Sequence, residues 1–139
     1  MDQRDMWRRI GQARVARLAT IDPNGRPHLV PLVFAVAESR IYSAVDHKPK
    51  RSKALKRLEN IAENPAVSLL IDEYDDDWSQ LWWIRLDGTA KVVETGPEWE
   101  RAVTHLADKY PQYRGHPPDG AVVAVSIDRI VGWDAGDAS

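Results

Sequence analysis

Leu81-Trp82-Trp83-Ile84-Arg85-Leu86-Asp87-Gly88-Thr89-Ala90-Lys91-Val92-Val93 alternates along its whole length: the even positions are uniformly apolar, while Trp83, Arg85, Asp87, Thr89 and Lys91 stand among the odd ones. A period of two over so long a run predicts one long strand with a core face and an outer face. Arg85 should then point away from the face that packs Trp82.

Working outward, Ala66 to Asp72 reads as an apolar strand and Glu73 to Asp77 as an acidic loop. Downstream, Pro97 opens a helix with Glu98 and Glu100 in its first turn, where acids favour the dipole. Its apolar stripe is Trp99, Ala102, Val103, Leu106, Ala107 and Tyr110. A Pro/Gly-rich loop, Pro111 to Gly120, leads to a closing strand, Ala121 to Trp133. Upstream, Asp2 to Gln12 reads as a short helix with Met6, Trp7 and Ile10 on one side, and Ala13 to Ile21 as a strand ending in the turn signal Asp22-Pro23-Asn24-Gly25.

Pro27 to Val36 follows as a strand apolar on both faces, as expected if one face meets a core and the other a second subunit or ligand. Its Pro31 donates no ladder hydrogen bond, which marks an edge, a bulge or a place where something other than a strand lies alongside. Arg40 to Val45 is a further strand. Lys50 to Glu63 reads as a helix with Ala54, Leu55, Leu58, Ile61 and Ala62 at helical spacing, stopped by Asn64-Pro65. Six strands interrupted by three helices without regular βα alternation predict a mainly β, α+β domain: a small antiparallel barrel with helices at its rim. The whole chain, residues 1–139, reads as one such domain.

Composition bounds the rest. The chain has 139 residues, 43% of them hydrophobic and 29% charged, with a formal net charge of -2, as an ordinary globular protein has. It has no cysteine, which removes thiolate nucleophiles, disulfides and Cys-based zinc sites. The charged N-terminus lacks an apolar signal-peptide core and no run reaches the ~18 apolar residues of a membrane span, so a cytoplasmic location is expected.

Against that balance, Lys48, Lys50, Arg51, Lys53, Lys56 and Arg57 form a basic block where a strand runs into a helix. One charge sign, backbone N–H groups at a helix start and a Pro-stiffened loop suit a phosphate or another polyanion; the plainer reading is a solvated helix face. Lys50, Arg51 and Lys53 are the better phosphate ligands, since Lys56 and Arg57 lie a turn or more into the helix.

Other candidates have two readings each. Trp83 and Arg85 share the outer face, where Arg85 could instead pair with Asp87 in a structural or interface role. Tyr74 and Trp78 either cover a planar ring or anchor the acidic loop. Asp75, Asp76 and Asp77 lack the alternating ligand spacing of an EF-hand and read as solvated. His28, His47, His105 and His116 show no metal-binding spacing, and neither Ser43 nor Ser52 lies in a GxSxG elbow, so no metal site and no serine hydrolase is expected. No catalytic acid or base stands out.

The succession ARVARLAT, GRPHLVPLVF, HKPKRSKALKRLENIAENPAVSLLID and LWWIRLDGTAKVV resembles the flavin-type split β-barrel group, the pyridoxamine-phosphate-oxidase-like proteins. Within it, YDDDWSQLWWIRLDG is similar to an actinobacterial subgroup associated with the deazaflavin coenzyme F420. The resemblance implies a Greek-key-like split barrel and a homodimer with two cofactor sites at the subunit interface. The coenzyme's ring would lie along Pro31, Leu32 and Val33, near Ser43, Ala44 and Val45, with its phosphate arm on Lys48, Lys50, Arg51 and Lys53. Trp78, Trp83 and Arg85 would join the site.

Three functions follow as expectations. The leading one is an F420-dependent oxidoreductase moving hydride between the deazaflavin and an unsaturated or quinone-like organic substrate. The second is an FMN-binding relative; the vitamin-converting oxidases end in a segment with an Arg-x-His motif, whereas this chain ends VGWDAGDAS. The third is a non-catalytic carrier of a polyanion. Nucleic acid is disfavoured by the net charge and the single short basic run.

Overall fold

A computed structural model describes residues 1–45 and 54–138. The segments, in chain order, are α1 (Gln3–Gln12), β1 (Ala16–Ile21), β2 (Pro27–Leu32), β3 (Ala35–Ala37), β4 (Arg40–Ala44), α2 (Ala54–Glu63), β5 (Ala66–Glu73), β6 (Trp82–Val93), α3 (Pro97–Lys109), α4 (Pro111–Gly115) and β7 (Val122–Asp134). Short 3-10 turns at Trp78–Gln80 and Ala135–Ala138 flank β6 and follow β7.

The seven strands form one antiparallel sheet in the order β2-β1-β5-β6-β7-β4-β3. A flat sheet with six inter-strand steps of about 4.8 Å would hold its outer strands ~29 Å apart. Yet those outer strands, β2 and β3, are joined only by Val33 and Phe34, a reach of about 10 Å. The sheet must therefore curl until its two edges approach, which is the split-barrel architecture read from the sequence. The strand count rises from six to seven because the run Pro27 to Val36 is two strands: β2 pairs with β1, the chain turns at Val33-Phe34, and β3 pairs with β4. Pro31 lies on β2, an edge of the sheet, where its missing N–H breaks no second ladder.

β6 pairs along its length with β7 and from Trp82 to Thr89 with β5, and its burial alternates as the sequence pattern requires: Ile84, Leu86, Gly88 and Ala90 are buried, while Arg85, Asp87, Thr89 and Lys91 are not. Leu18, Leu69 and Leu86 lie side by side across three strands, each essentially buried. Burying such a side chain contributes about 1.5–3 kcal/mol. Met6 and Ile10 of α1 and Ile61 of α2 close this interior. At Gly88 the β6–β7 register shifts, and the backbone of Ser126 and the side chain of Val125 come so close that a Cβ would have no room.

A second cluster lies beneath α3. Ala35, Ala37, Ala44 and Ala124 present a low surface on which Ala102, Leu106 and Tyr110 pack. The first turn of α3 is clamped by Glu98, which pairs with Lys91 of β6 at 2.8 Å and with Arg40 of β4, and accepts from the Tyr42 hydroxyl at 3.0 Å.

Three local details differ from or complete the sequence reading. Pro111 to Gly115, expected as loop, is a short helix with Pro111 in its first turn, and Tyr113 stacks edge-on to Tyr110 at 6.1 Å. Trp82 is half-buried at the edge of the core rather than inside it. The Asp22–Gly25 turn is made by the Asp22 carboxylate, which accepts from the N–H groups of Asn24 and Arg26, both at 2.9 Å, with Gly25 at φ 79°. No helix among the described residues is long and apolar enough to cross a membrane.

Candidate functional site

The turn between β2 and β3 leaves backbone groups outside any ladder, and side chains from distant elements satisfy them. Ser43 Oγ donates to the Val33 carbonyl at 2.8 Å. The Tyr110 hydroxyl accepts from the Phe34 N–H at 3.1 Å and lies 2.9 Å from both the Phe34 and Arg14 carbonyls. One phenolic proton can serve only one of those carbonyls at a time. Burial pushes the Tyr110 hydroxyl's pKa up, so it stays a donor at neutral pH. Behind the turn, Lys109 Nζ sits 4.0 Å from the Phe34 ring centroid, and burial lowers its pKa to about 8.

In front of the turn lies a groove of about 310 Å³ lined by Val15, Pro31, Leu32, Val33, Ser43, Ala44 and Arg57. Five of the residues singled out from the sequence, Pro31, Leu32, Val33, Ser43 and Ala44, therefore meet in one place. Val45 ends the same stretch, its N–H donating to the Ala121 carbonyl at 2.9 Å, without lining the groove. Lys48, Lys50, Arg51 and Lys53 lie outside the described residues. The nearest groove residues on either side of them in sequence are Ala44 and Arg57. Arg57, ranked as solvated from the sequence, is half-buried and lines the groove together with residues of β2 and β4.

Trp83 and Arg85 lie on the same outer sheet face as Pro31 but not beside it. The register runs Pro31–Arg17–Leu70–Arg85, three strand spacings or about 14 Å. Arg85 Nε pairs with Asp87 at 3.2 Å, the structural alternative weighed from the sequence. Trp83 stands opposite Asp72 and Trp133. Trp78 is 68% exposed on the turn before β6, its indole N–H 3.4 Å from the Tyr74 hydroxyl. The acidic loop shapes its own turn: Asp75 accepts from Asp77 N–H at 2.7 Å, and Asp77 accepts from Ser79 N–H and Oγ, which lowers the Asp77 pKa.

The described groove residues carry no carboxyl, imidazole or thiol. What they offer is a largely apolar wall with one hydroxyl and one guanidinium. Such a surface suits a planar conjugated ring with an anionic arm, and binds and orients it. Sequence reasoning missed Val15 and the Tyr110 hydroxyl, and ranked Arg57 below its basic neighbours. Tyr110 showed only as the last member of the α3 stripe, and nothing local told that its oxygen reaches a turn 76 positions away.

The chain is similar in sequence and in fold to known proteins. A 5a,11a-dehydrotetracycline/5a,11a-dehydrooxytetracycline reductase of Streptomyces rimosus is 29% identical over 122 residues, 87% of this chain and 82% of that one. A conserved hypothetical protein of Mycobacterium tuberculosis has a similar structure, with a TM-score of 0.78 and 24% identity over 97% of this chain and 86% of that one. A FAD-binding protein of Mesorhizobium loti superposes with a TM-score of 0.69 and 18% identity, over 95% and 92% of the two chains. The sequence pattern described as pyridoxamine 5'-phosphate oxidase matches residues 4–134, and the chain, with its curled antiparallel sheet and edge-strand groove, belongs to that family.

Proposed function

We propose that this protein is an oxidoreductase that binds a deazaflavin of the F420 type in the groove and transfers hydride between it and an unsaturated or quinone-like organic substrate. The observation that carries the reading is the convergence of Pro31, Leu32, Val33, Ser43 and Ala44 on one apolar groove with Arg57 at its side. When bound, the coenzyme supplies a two-electron hydride donor or acceptor. The chain's part is to hold and orient it: Pro31 and Val33 offer a wall for the ring, Ser43 keeps the Val33 carbonyl in place, and Arg57 with the neighbouring basic block meets the anionic arm. The relative named as a reductase of dehydrotetracyclines supports the reductive direction and an unsaturated acceptor.

The working unit in this reading is a homodimer. Val15, Ile21, Leu29, Leu70 and Trp133 are exposed apolar side chains, and Leu29 is 67% exposed. On the outer face that carries Pro31, register and alternation group them with Trp83 and Arg85. A second copy seated there would cover this face and bring its own Trp78, Trp83 and Arg85 towards the groove.

FMN offers a tricyclic ring and a phosphate to the same groove, so the test is a titration of purified apo-protein with F420 and, separately, with FMN, followed by tryptophan and ligand fluorescence. F420 binding at least about tenfold tighter than FMN binding, a difference of ~1.4 kcal/mol, is expected. It should weaken by about tenfold in Lys50→Ala and Arg51→Ala. Preference for FMN moves the protein to the flavin branch, and binding of neither overturns the reading.

A further inference from the structure

A second and larger opening, about 500 Å³, lies beside the groove, between the last turn of α1, the link into β1 and the adjoining ends of β5 and β6. Val15 lines both, so the two openings adjoin at that side chain. The cleft is built around Trp82. Its ring is held by the indole N–H donating to Glu73 at 3.2 Å and by the Arg9 guanidinium 5.2 Å from its centroid. Arg9 is in turn fixed by Asp5 at 3.2 Å and Asp134 at 2.9 Å, so its charge is already matched.

The other charges of the cleft divide into committed and available groups. Arg14 donates to the Lys109 carbonyl at 3.2 Å and lies over the Tyr110 ring, and Asp72 pairs with Arg17 at 3.2 Å. Arg8 pairs with Asp5, but its side chain is 57% exposed, so, like the Arg17–Asp72 pair, this is a surface contact that water or a ligand can replace. Gln12, one turn further on, adds an exposed carboxamide. Trp82, with Arg9 over its ring and its body against the core, contributes an apolar edge beside a guanidinium and an amide, which suits a conjugated ligand bearing an anionic oxygen. Glu73 on the opposite wall, held towards the Trp82 indole, disfavours a highly charged polyanion, so a ligand of low negative charge fits best.

We infer that this cleft is the acceptor-substrate subsite, and that it selects planar conjugated carbonyl compounds carrying one enolate or phenolate oxygen, with Arg8 and Gln12 reading that oxygen and Trp82 the ring. The inference rests on the groove being the cofactor-ring site, to which Val15 is the shared wall.

The probe is 2-hydroxy-1,4-naphthoquinone, an enolate at neutral pH, against 1,4-naphthoquinone, which lacks that oxygen. Binding to the full-length protein is followed by tryptophan quenching, with and without saturating cofactor. The wild type should prefer the hydroxy compound by about tenfold, and Arg8→Ala and Gln12→Ala should each reduce or abolish that preference while leaving cofactor affinity and the thermal midpoint unchanged. Equal binding of the two quinones by the wild type, or a preference that survives both substitutions, overturns the assignment. Loss of cofactor affinity in Arg8→Ala also overturns it and gives the cleft to the cofactor. A wild type that shows the expected quinone preference but binds neither F420 nor FMN keeps the cleft as a binding site and removes the groove reading instead.

Discussion

β6 and the β2–β3 segment are both long apolar-rich runs, and they fold in opposite ways. β6 is paired on both sides from Trp82 to Thr89 and with β7 beyond, so over most of its length each residue's direction is dictated twice and the period of two survives intact. The β2–β3 segment borders the sheet: β2 pairs only with β1, β3 only with β4, and the chain between them is held by side chains, Ser43 and Tyr110. Regular pairing produces a rigid wall, whereas the interrupted edge produces the groove. The proposed cofactor site sits where the ladder fails, because there backbone and side chains are free to meet something other than a strand.

The largest effect should come from breaking the rigid partner. Gly88→Ala places a methyl group against the Ser126 backbone and Val125 Cγ1, the latter at 2.9 Å, where β6 and β7 have no freedom to part. A loss of about 2–3 kcal/mol in urea denaturation is expected, with the fold otherwise retained. A loss below ~0.5 kcal/mol would show that β6 is less rigid than its pairing implies.

Next in size is the interrupted edge. Tyr110→Phe keeps the ring and removes the oxygen that serves Phe34 and Arg14. Leaving the buried Phe34 N–H without its partner should cost about 1–3 kcal/mol. Because the turn forms the end of the groove, cofactor affinity should fall in this variant but not in a β6 surface variant such as Thr89→Ser. Equal affinities would separate the turn from the site.

The smallest effect concerns the clamp by which α3 ties β6 to β4, the strand on which β3 pairs. Hydrogen bonding from Lys91, assisted by Tyr42 and Arg40, lowers the Glu98 pKa from 4.5 to about 2. Its folded pKa lies below its unfolded one, so the unfolded state binds the extra proton, and the stabilisation is present above pH 4.5 and lost as pH falls to about 2. Allowing for the exposed Lys91 and Arg40, about 1 kcal/mol should disappear across that window. Urea midpoints measured at several acid pH values should show this component in the wild type and not in Glu98→Gln.

The alternation of β6, the stripes of α1 and α3, the turn at Asp22–Gly25 and the antiparallel α+β class were legible because each depends on neighbours a few positions away. Most of the groove's strand residues were legible too, through motif likeness and through Pro31, whose missing N–H announces an edge from sequence alone. The place of Arg57 in the groove lining was not legible, because helical spacing tells which residues share a side but not what lies opposite. The short helix at Pro111 was hidden by its own Pro and Gly content, which signals loops when read locally.

By itself, then, the sequence determined which segments become strands and helices and which faces they bury, since the periods of 2.0 and 3.6 are properties of the local backbone. Tertiary structure alone decided that β2 and β3 close the curl through two residues, that Ser43 and Tyr110 hold the turn between them, and that the groove and the Trp82 cleft adjoin at Val15. Those juxtapositions depend on strand order and sheet curvature. Both are set by the summed packing of all seven strands, and no local pattern encodes such a sum.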